Sequence, residues 1–138
     1  MEQRFAAPVE AVFTAITDHR GFGRWVGATI TLEREGDPAP NGLGAIRVVR
    51  ARGTAVREEV VRFEPPHAMD YRVIGGAPLR DHLGQIRVAP DAGGSRLDYR
   101  IRFAFPWYLG GAIVGGVIAR LLRREIGAGL ARMAAAVD

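Results

Sequence analysis

The sequence contains no cysteine, no lysine and a single serine among its 138 residues. Without cysteine there is no disulfide framework, no thiolate metal site and no cysteine nucleophile. Without lysine there is no Schiff-base catalyst and no phosphate-loop lysine. Ser95 lies in the turn-like "DAGGSR", outside any nucleophile-elbow context, so covalent catalysis is not expected. The three histidines, His19, His67 and His82, fit no ligand spacing such as HExxH, and no metal site is expected. "GLGAIR" (Gly42 to Arg47) lacks the third glycine of a dinucleotide fingerprint and reads as a turn entering a strand. No cofactor is implied. Long apolar runs are also scarce: the uncharged stretch from Phe103 to Ala119 contains a strand-like pattern and the helix-breaking Pro106. It does not read as a transmembrane span, although shallow contact of its glycine-rich part with a lipid surface fits its composition.

What is present describes a globular domain. Hydrophobic residues make up 48% and charged residues 25%, and no apolar leader follows Met1 to Phe5. The expectation is a single domain over residues 1–138, cytoplasmic, and a monomer or homodimer. Every one of the 19 basic residues is arginine, giving a net charge of +4. They are scattered, with Arg123 and Arg124 the only adjacent pair, so nucleic acid is not an expected partner.

In "APVEAVFTAITD", Val9, Val12, Phe13 and Ile16 recur at helical spacing, which predicts a helix with one buried face. "HRGFGRWVG" predicts a second, brief helix anchored by Phe22 and Trp25. From Ala28 to Phe105 the period is two, in six runs separated by turn residues, which predicts an antiparallel meander. In the last run Leu97, Tyr99, Ile101, Phe103 and Phe105 face one way, and Asp98, Arg100 and Arg102 form a solvated face. The C-terminal segment must cover the apolar side of the sheet. Its two apolar arcs, Ile113 to Leu121 and Leu122 to Val137, are offset on a helical wheel, which predicts a kink or two helical pieces near the paired glycines.

This layout resembles the START-like, or SRPBCC, superfamily, in its bacterial polyketide cyclase/dehydrase-like branch. The residues that carry the resemblance are "AAPVEAVFTAITDHRGFGRWVG", "GLGAIRVV", "EEVVRFEPPHAMDYRVIGGAPLRDHLGQIRVAP" and "GGSRLDYRIRF", nearly the whole chain. The resemblance implies an α+β helix-grip (Bet v 1-like) fold, in which a curved antiparallel sheet of about seven strands wraps a long C-terminal helix. Two short helices follow the first strand, for which only Glu2 to Phe5 is available. It also implies an enclosed hydrophobic cavity between sheet and helix, with a lipid or polyketide-like small molecule as the ligand.

Alternation places Tyr71, Val73, Ile86, Tyr99, Ile101 and Phe103 on the walls of such a cavity, with Ile113, Val117 and Leu121 from the helix. Trp107 either caps the pocket or plugs the sheet end. If Val61 and Phe63 face inward, Glu59 does too, and Arg47 on the preceding strand is its nearest partner. His82 shares a phase with Gly84, Ile86 and Val88, and Glu59 or Asp81 would orient it. Three readings follow: a carrier or sensor of a hydrophobic small molecule; a cofactor-independent aromatase/cyclase or dehydratase using Arg47, Glu59, His82 and Tyr99 as acid/base groups; and an interaction module with a collapsed cavity. Gly110 and Gly116, at the expected pocket mouth, are both expected to accept alanine.

Overall fold

The computed structural model describes residues 1–138. Strand β1 (Glu2–Phe5) leads into helices α1 (Val9–Thr17) and α2 (His19–Val26). Six strands follow: β2 (Thr29–Arg34), β3 (Ile46–Ala51), β4 (Thr54–Glu64), β5 (Ala68–Gly75), β6 (Arg80–Asp91) and β7 (Gly94–Ala104). A 3-10 turn (Trp107–Leu109) then enters the long helix α3 (Gly111–Val137).

Helix α1 forms because its four apolar residues fall on one face, and Val9, Val12, Phe13 and Ile16 are all buried. Asp18 separates it from α2 and caps the latter, its carboxylate accepting from the Gly21 N–H at 3.2 Å. The strands form one antiparallel sheet in the order β1-β7-β6-β5-β4-β3-β2. The short first strand is held by pairing Glu2 to Phe5 with Asp98 to Ser95 of β7. Arginine–carboxylate pairs such as Arg57–Glu33, Arg62–Glu64 and Arg87–Asp70 cover the outer face. The inner face carries the core, in which Leu97, Tyr99, Ile86, Val88 and Val60 meet α1 and the far half of α3.

Two details depart from simple alternation. In β4 the pairing with β5 runs Val60 to Tyr71 and then Arg62 to Asp70, so Val61 is an extra residue at a bulge. Val60 and Phe63 are therefore both on the core side, while Val61 is exposed. In α3 the predicted kink is absent, and one helix runs from Gly111 to Val137. A single stripe, Gly115, Ile118, Leu122, Ile126, Gly129 and Met133, turns toward the sheet at regular helical spacing. Only its second half is buried. Ile113, Val117 and Leu121 do not join that stripe: they sit on the opposite face, in solvent.

The two glycines differ for a local reason. Gly110 has φ +108°, and a Cβ there would collide with the Val114 side chain, whereas nothing lies within 4 Å of a Cβ on Gly116. Gly110→Ala is therefore expected to lower stability. Gly116→Ala is expected to raise it by up to about 1 kcal/mol through helix propensity. Parallel thermal melts check this, and equal shifts of the same sign would refute it.

Candidate functional site

The inner face of the sheet holds a polar cluster built around Arg47 of β3, only 3% exposed. Antiparallel register sets Arg47 directly opposite Glu58 of β4. Its Nε donates to Glu58 Oε1 at 2.9 Å. Its Nη1 donates to His19 Nδ1 at 2.8 Å, at the start of α2. Because a guanidinium has no acceptor, that bond makes Nδ1 the unprotonated nitrogen and leaves the proton on Nε2. Nε2 is buried without a hydrogen-bond partner.

Two tyrosines complete the cluster. The Arg47 guanidinium lies 4.4 Å from the Tyr71 ring centroid, a cation–π distance. The Tyr71 hydroxyl hydrogen-bonds the Tyr99 hydroxyl. The Tyr71 ring lies over Gly84, where a Cβ would collide with it, so the glycine makes the space the ring occupies. On the other flank the His82 ring packs on Tyr71 with centroids 5.6 Å apart, and its Nδ1 accepts from the Val73 N–H at 3.0 Å.

Burial sets the protonation states. It lowers the His19 pKa to about 3, with Arg47 adding repulsion, and the His82 pKa to about 4 for the same two reasons. Burial raises Tyr99 to about 12 and holds Tyr71 well above its usual value. It also pushes the Glu58 carboxyl up, with Arg47 opposing. Burial opposes the charge on Arg47 as well, but the Glu58 carboxylate and the tyrosine oxygens more than offset it. The cluster thus presents one cation, two neutral phenols and two neutral imidazoles around a carboxyl group of raised pKa. Such a donor-rich set suits a carbonyl, enolate or hydroxyl oxygen.

Tyr99 also forms part of a partly open cleft of about 190 Å³ between β7 and α3, shared with Met1, Ile101, Phe103, Ala119 and Leu122. The enclosed cavity of a few hundred Å³ expected from the sequence is not what lies here, because the Tyr71, Tyr99 and Phe22 rings fill the interior beside Arg47. Tyr71, Ile86 and Tyr99 are buried on the inner face, and Val73, Ile101 and Phe103 are half-buried. Trp107, Ile113, Val117 and Leu121 are not brought to the cleft; they face solvent, so Trp107 neither caps a pocket nor plugs the sheet.

Glu59 is not in the cluster. The bulge at Val61 reverses the phase read back from Phe63, so Glu58 points inward and Glu59 points outward, where Arg34 and Arg72 hold it at 3.1 and 2.8 Å. Neither Glu59 nor Asp81 orients His82, whose Nδ1 is occupied by the β5 backbone. Glu58 and His19 are the members that sequence reasoning missed. A signal for Glu58 existed in the run of Val56, Glu58 and Val60 at period two. His19 had none, because its place depends on where α2 docks.

Two outcomes are expected. Folded-state pKa values of about 3 and about 4 lie below the unfolded histidine value, so neither histidine makes stability pH-dependent above about pH 6.5. As pH falls below that, the unfolded chain takes up protons that the folded chain refuses. For the fully buried His19 this costs about 2 kcal/mol between pH 6.5 and 5. The raised Glu58 has the opposite sign and offsets part of the loss toward pH 4.5. Denaturant titrations across this range should show the decline, and His19→Gln should flatten it; an unchanged slope in the variant would exclude His19 as its source. Separately, Arg47→Met should cost up to about 3–5 kcal/mol by stranding Glu58, with much of that recovered in Arg47→Met/Glu58→Leu. Additive losses in the double variant would contradict the coupling.

Comparison with known proteins agrees with this architecture. The family model described as "Polyketide cyclase / dehydrase and lipid transport" matches residues 1–138. No curated protein matches the chain. Among solved structures, TTHA0849 from Thermus thermophilus is 16% identical with a TM-score of 0.75, covering 100% of this chain and 97% of that one. Ms6760 from Mycobacterium smegmatis is 14% identical with a TM-score of 0.69, over 99% and 87%. Ara h 8.0201 is 16% identical with a TM-score of 0.68, over 96% and 93%. At these identities the likeness is one of fold, the helix-grip or Bet v 1-like fold. Family and fold together support small-molecule binding or cyclase chemistry in broad terms. With a seven-stranded sheet gripping one long helix and a family match along its entire length, the chain belongs to the polyketide cyclase/dehydrase and lipid transport family, of SRPBCC type.

Proposed function

We propose that the protein binds a hydrophobic small molecule, lipid-like or polyketide-like, as a carrier or sensor, with the ligand's apolar body between β7 and α3. Its oxygen-bearing end meets the donors around Tyr99. The observation that carries this reading is that the cleft reaches Tyr99, which the Tyr71 hydroxyl joins to the Arg47 cluster, while Ile101, Phe103 and Leu122 supply apolar walls. A volume of about 190 Å³ is below the usual range of about 300–1,000 Å³ for whole-ligand pockets. The cleft therefore holds part of a ligand, and the rest extends along the half-buried side of the front of α3.

Noncovalent binding is favoured over catalysis because both histidines near the cluster have their Nδ1 committed, to Arg47 and to the Val73 N–H. One observation favours the enzyme reading: Glu58, with a pKa raised by burial, sits in a cluster with two neutral phenols. In an aromatase/cyclase or dehydratase it would move the proton while Tyr99 and Arg47 stabilise the enolate oxygen.

Leu122→Trp, which fills the cleft from the helix side, is expected to weaken binding of the neutral fluorescent probe N-phenyl-1-naphthylamine at least ~10-fold, about 1.4 kcal/mol. Native mass spectrometry of the purified wild-type protein is expected to reveal a retained apolar molecule. A variant that binds the probe as well as wild type does would remove the cleft from the reading. Turnover of the retained molecule, abolished in Glu58→Gln, would decide for the enzyme.

A further inference from the structure

Six of the nine large hydrophobic residues exposed in this protein fall between Trp107 and Leu121. Trp107 and Ile113 are 82% exposed and Val117 65%, joined by Tyr108, Leu109 and Leu121. They occupy the turn that enters α3 and the face of α3 turned away from the sheet. An exposed apolar patch of this kind calls for a partner.

The charge around it narrows the choice. No acidic residue occurs between Asp98 and Glu125, a stretch that carries Arg100, Arg102, Arg120, Arg123 and Arg124. None of these five makes an ion pair, and no carboxylate lies among them to do so; Arg34, Arg57, Arg62, Arg72, Arg87 and Arg96 are paired to carboxylates, while Arg20, Arg24, Arg50, Arg80 and Arg132 are not. Glu125, the first acid beyond, is held by Arg52 at 2.9 Å. Arg80, whose chain neighbour is Asp81, places its guanidinium 6.0 Å from the Tyr108 ring centroid. On the helical wheel Arg120 and Arg124 share the solvent face with Ile113 and Val117.

We propose that this segment, the Trp107–Leu109 turn with the outer face of α3 as far as Arg124, seats the protein on an anionic lipid bilayer. Ile113, Val117 and Leu109 enter the boundary between headgroups and acyl chains, and Trp107 and Tyr108 rest at headgroup level. The arginines reach lipid phosphates with their stems lying along the apolar surface. A second copy of the chain fits this face less well, because a two-fold contact would bring together two faces that both carry arginines and no acidic residue. No helix is long and apolar enough to cross a membrane, so the contact is superficial. Ala119, Leu122 and Arg123 line the cleft on another flank of the same helix, so the docking face and the cleft do not overlap. The docking stands whether or not the cleft holds an apolar molecule.

Co-sedimentation with vesicles tests it. The full chain is expected to pellet with phosphatidylcholine vesicles containing about one-third phosphatidylglycerol, to bind pure phosphatidylcholine at least ~10-fold more weakly, and to be released by about 0.5 M salt. Trp107 fluorescence should shift to the blue on binding and be quenched by brominated lipid. Ile113→Ser/Val117→Ser and, separately, Arg120→Gln/Arg124→Gln should each lower partitioning at least ~10-fold without changing the thermal melt, because all four side chains are exposed. Absence of wild-type binding to the anionic vesicles, or binding that neither pair of substitutions weakens, would overturn the proposal. So would a dimer in sedimentation velocity that the same substitutions dissolve, with no vesicle binding.

Discussion

The buried pairing of Arg47 with Glu58 is the constraint around which the inner face of the sheet is arranged. A guanidinium taken out of water costs several kcal/mol unless its charge and its donors are all answered. Here the answer comes from three elements: Glu58 from the neighbouring strand, His19 from the start of α2, and the face of Tyr71 from β5. The cation therefore ties strand register to helix docking. A one-residue slip between β3 and β4 would put Ile46 opposite Glu58 and leave both charges unmatched.

The same arrangement decides what chemistry is available. Low polarity keeps both imidazoles and both phenols neutral and makes ionisation of Glu58 costly. The cluster offers hydrogen-bond donors while its one carboxylate, Glu58, is engaged by Arg47, and the cleft beside Tyr99 lies next to that set. Helix α3 packs on α2, β1 and β7, and its far half is buried through Ile126, Leu130 and Met133. Its front half lies half-covered and rich in glycine, so one continuous helix serves as core at one end and as surface at the other.

Much of the fold was legible in the residues. Val9, Val12, Phe13 and Ile16 announce α1 through their spacing, and Leu97, Tyr99, Ile101 and Phe103 announce β7 through strict alternation. These signals are local, since each rests on which side chains one element presents to one neighbour. The site was legible only in part. Tyr71 and Tyr99 lie on alternating runs and the structure places them together with Arg47, whose own run, Ile46 to Arg50, does not alternate. The Glu58/Glu59 choice turned on a bulge between two adjacent valines, which alternation counted from Phe63 passes over.

By itself the sequence determined the element order, the wet and dry faces of a regularly alternating strand such as β7, and the exclusion of thiol and lysine chemistry, because composition and periodicity are properties of neighbours along the chain. Tertiary structure alone decided that Glu58 rather than Glu59 meets Arg47, that His19 receives the second guanidinium bond, and that Ile113 and Val117 face outward. Each of those outcomes depends on how one element is rotated or shifted against another. That rotation is set by how α3 packs on β1, β7 and α2, which turns Gly115, Ile118 and Leu122 toward the sheet and leaves the apolar arc of Ile113 and Val117 in solvent.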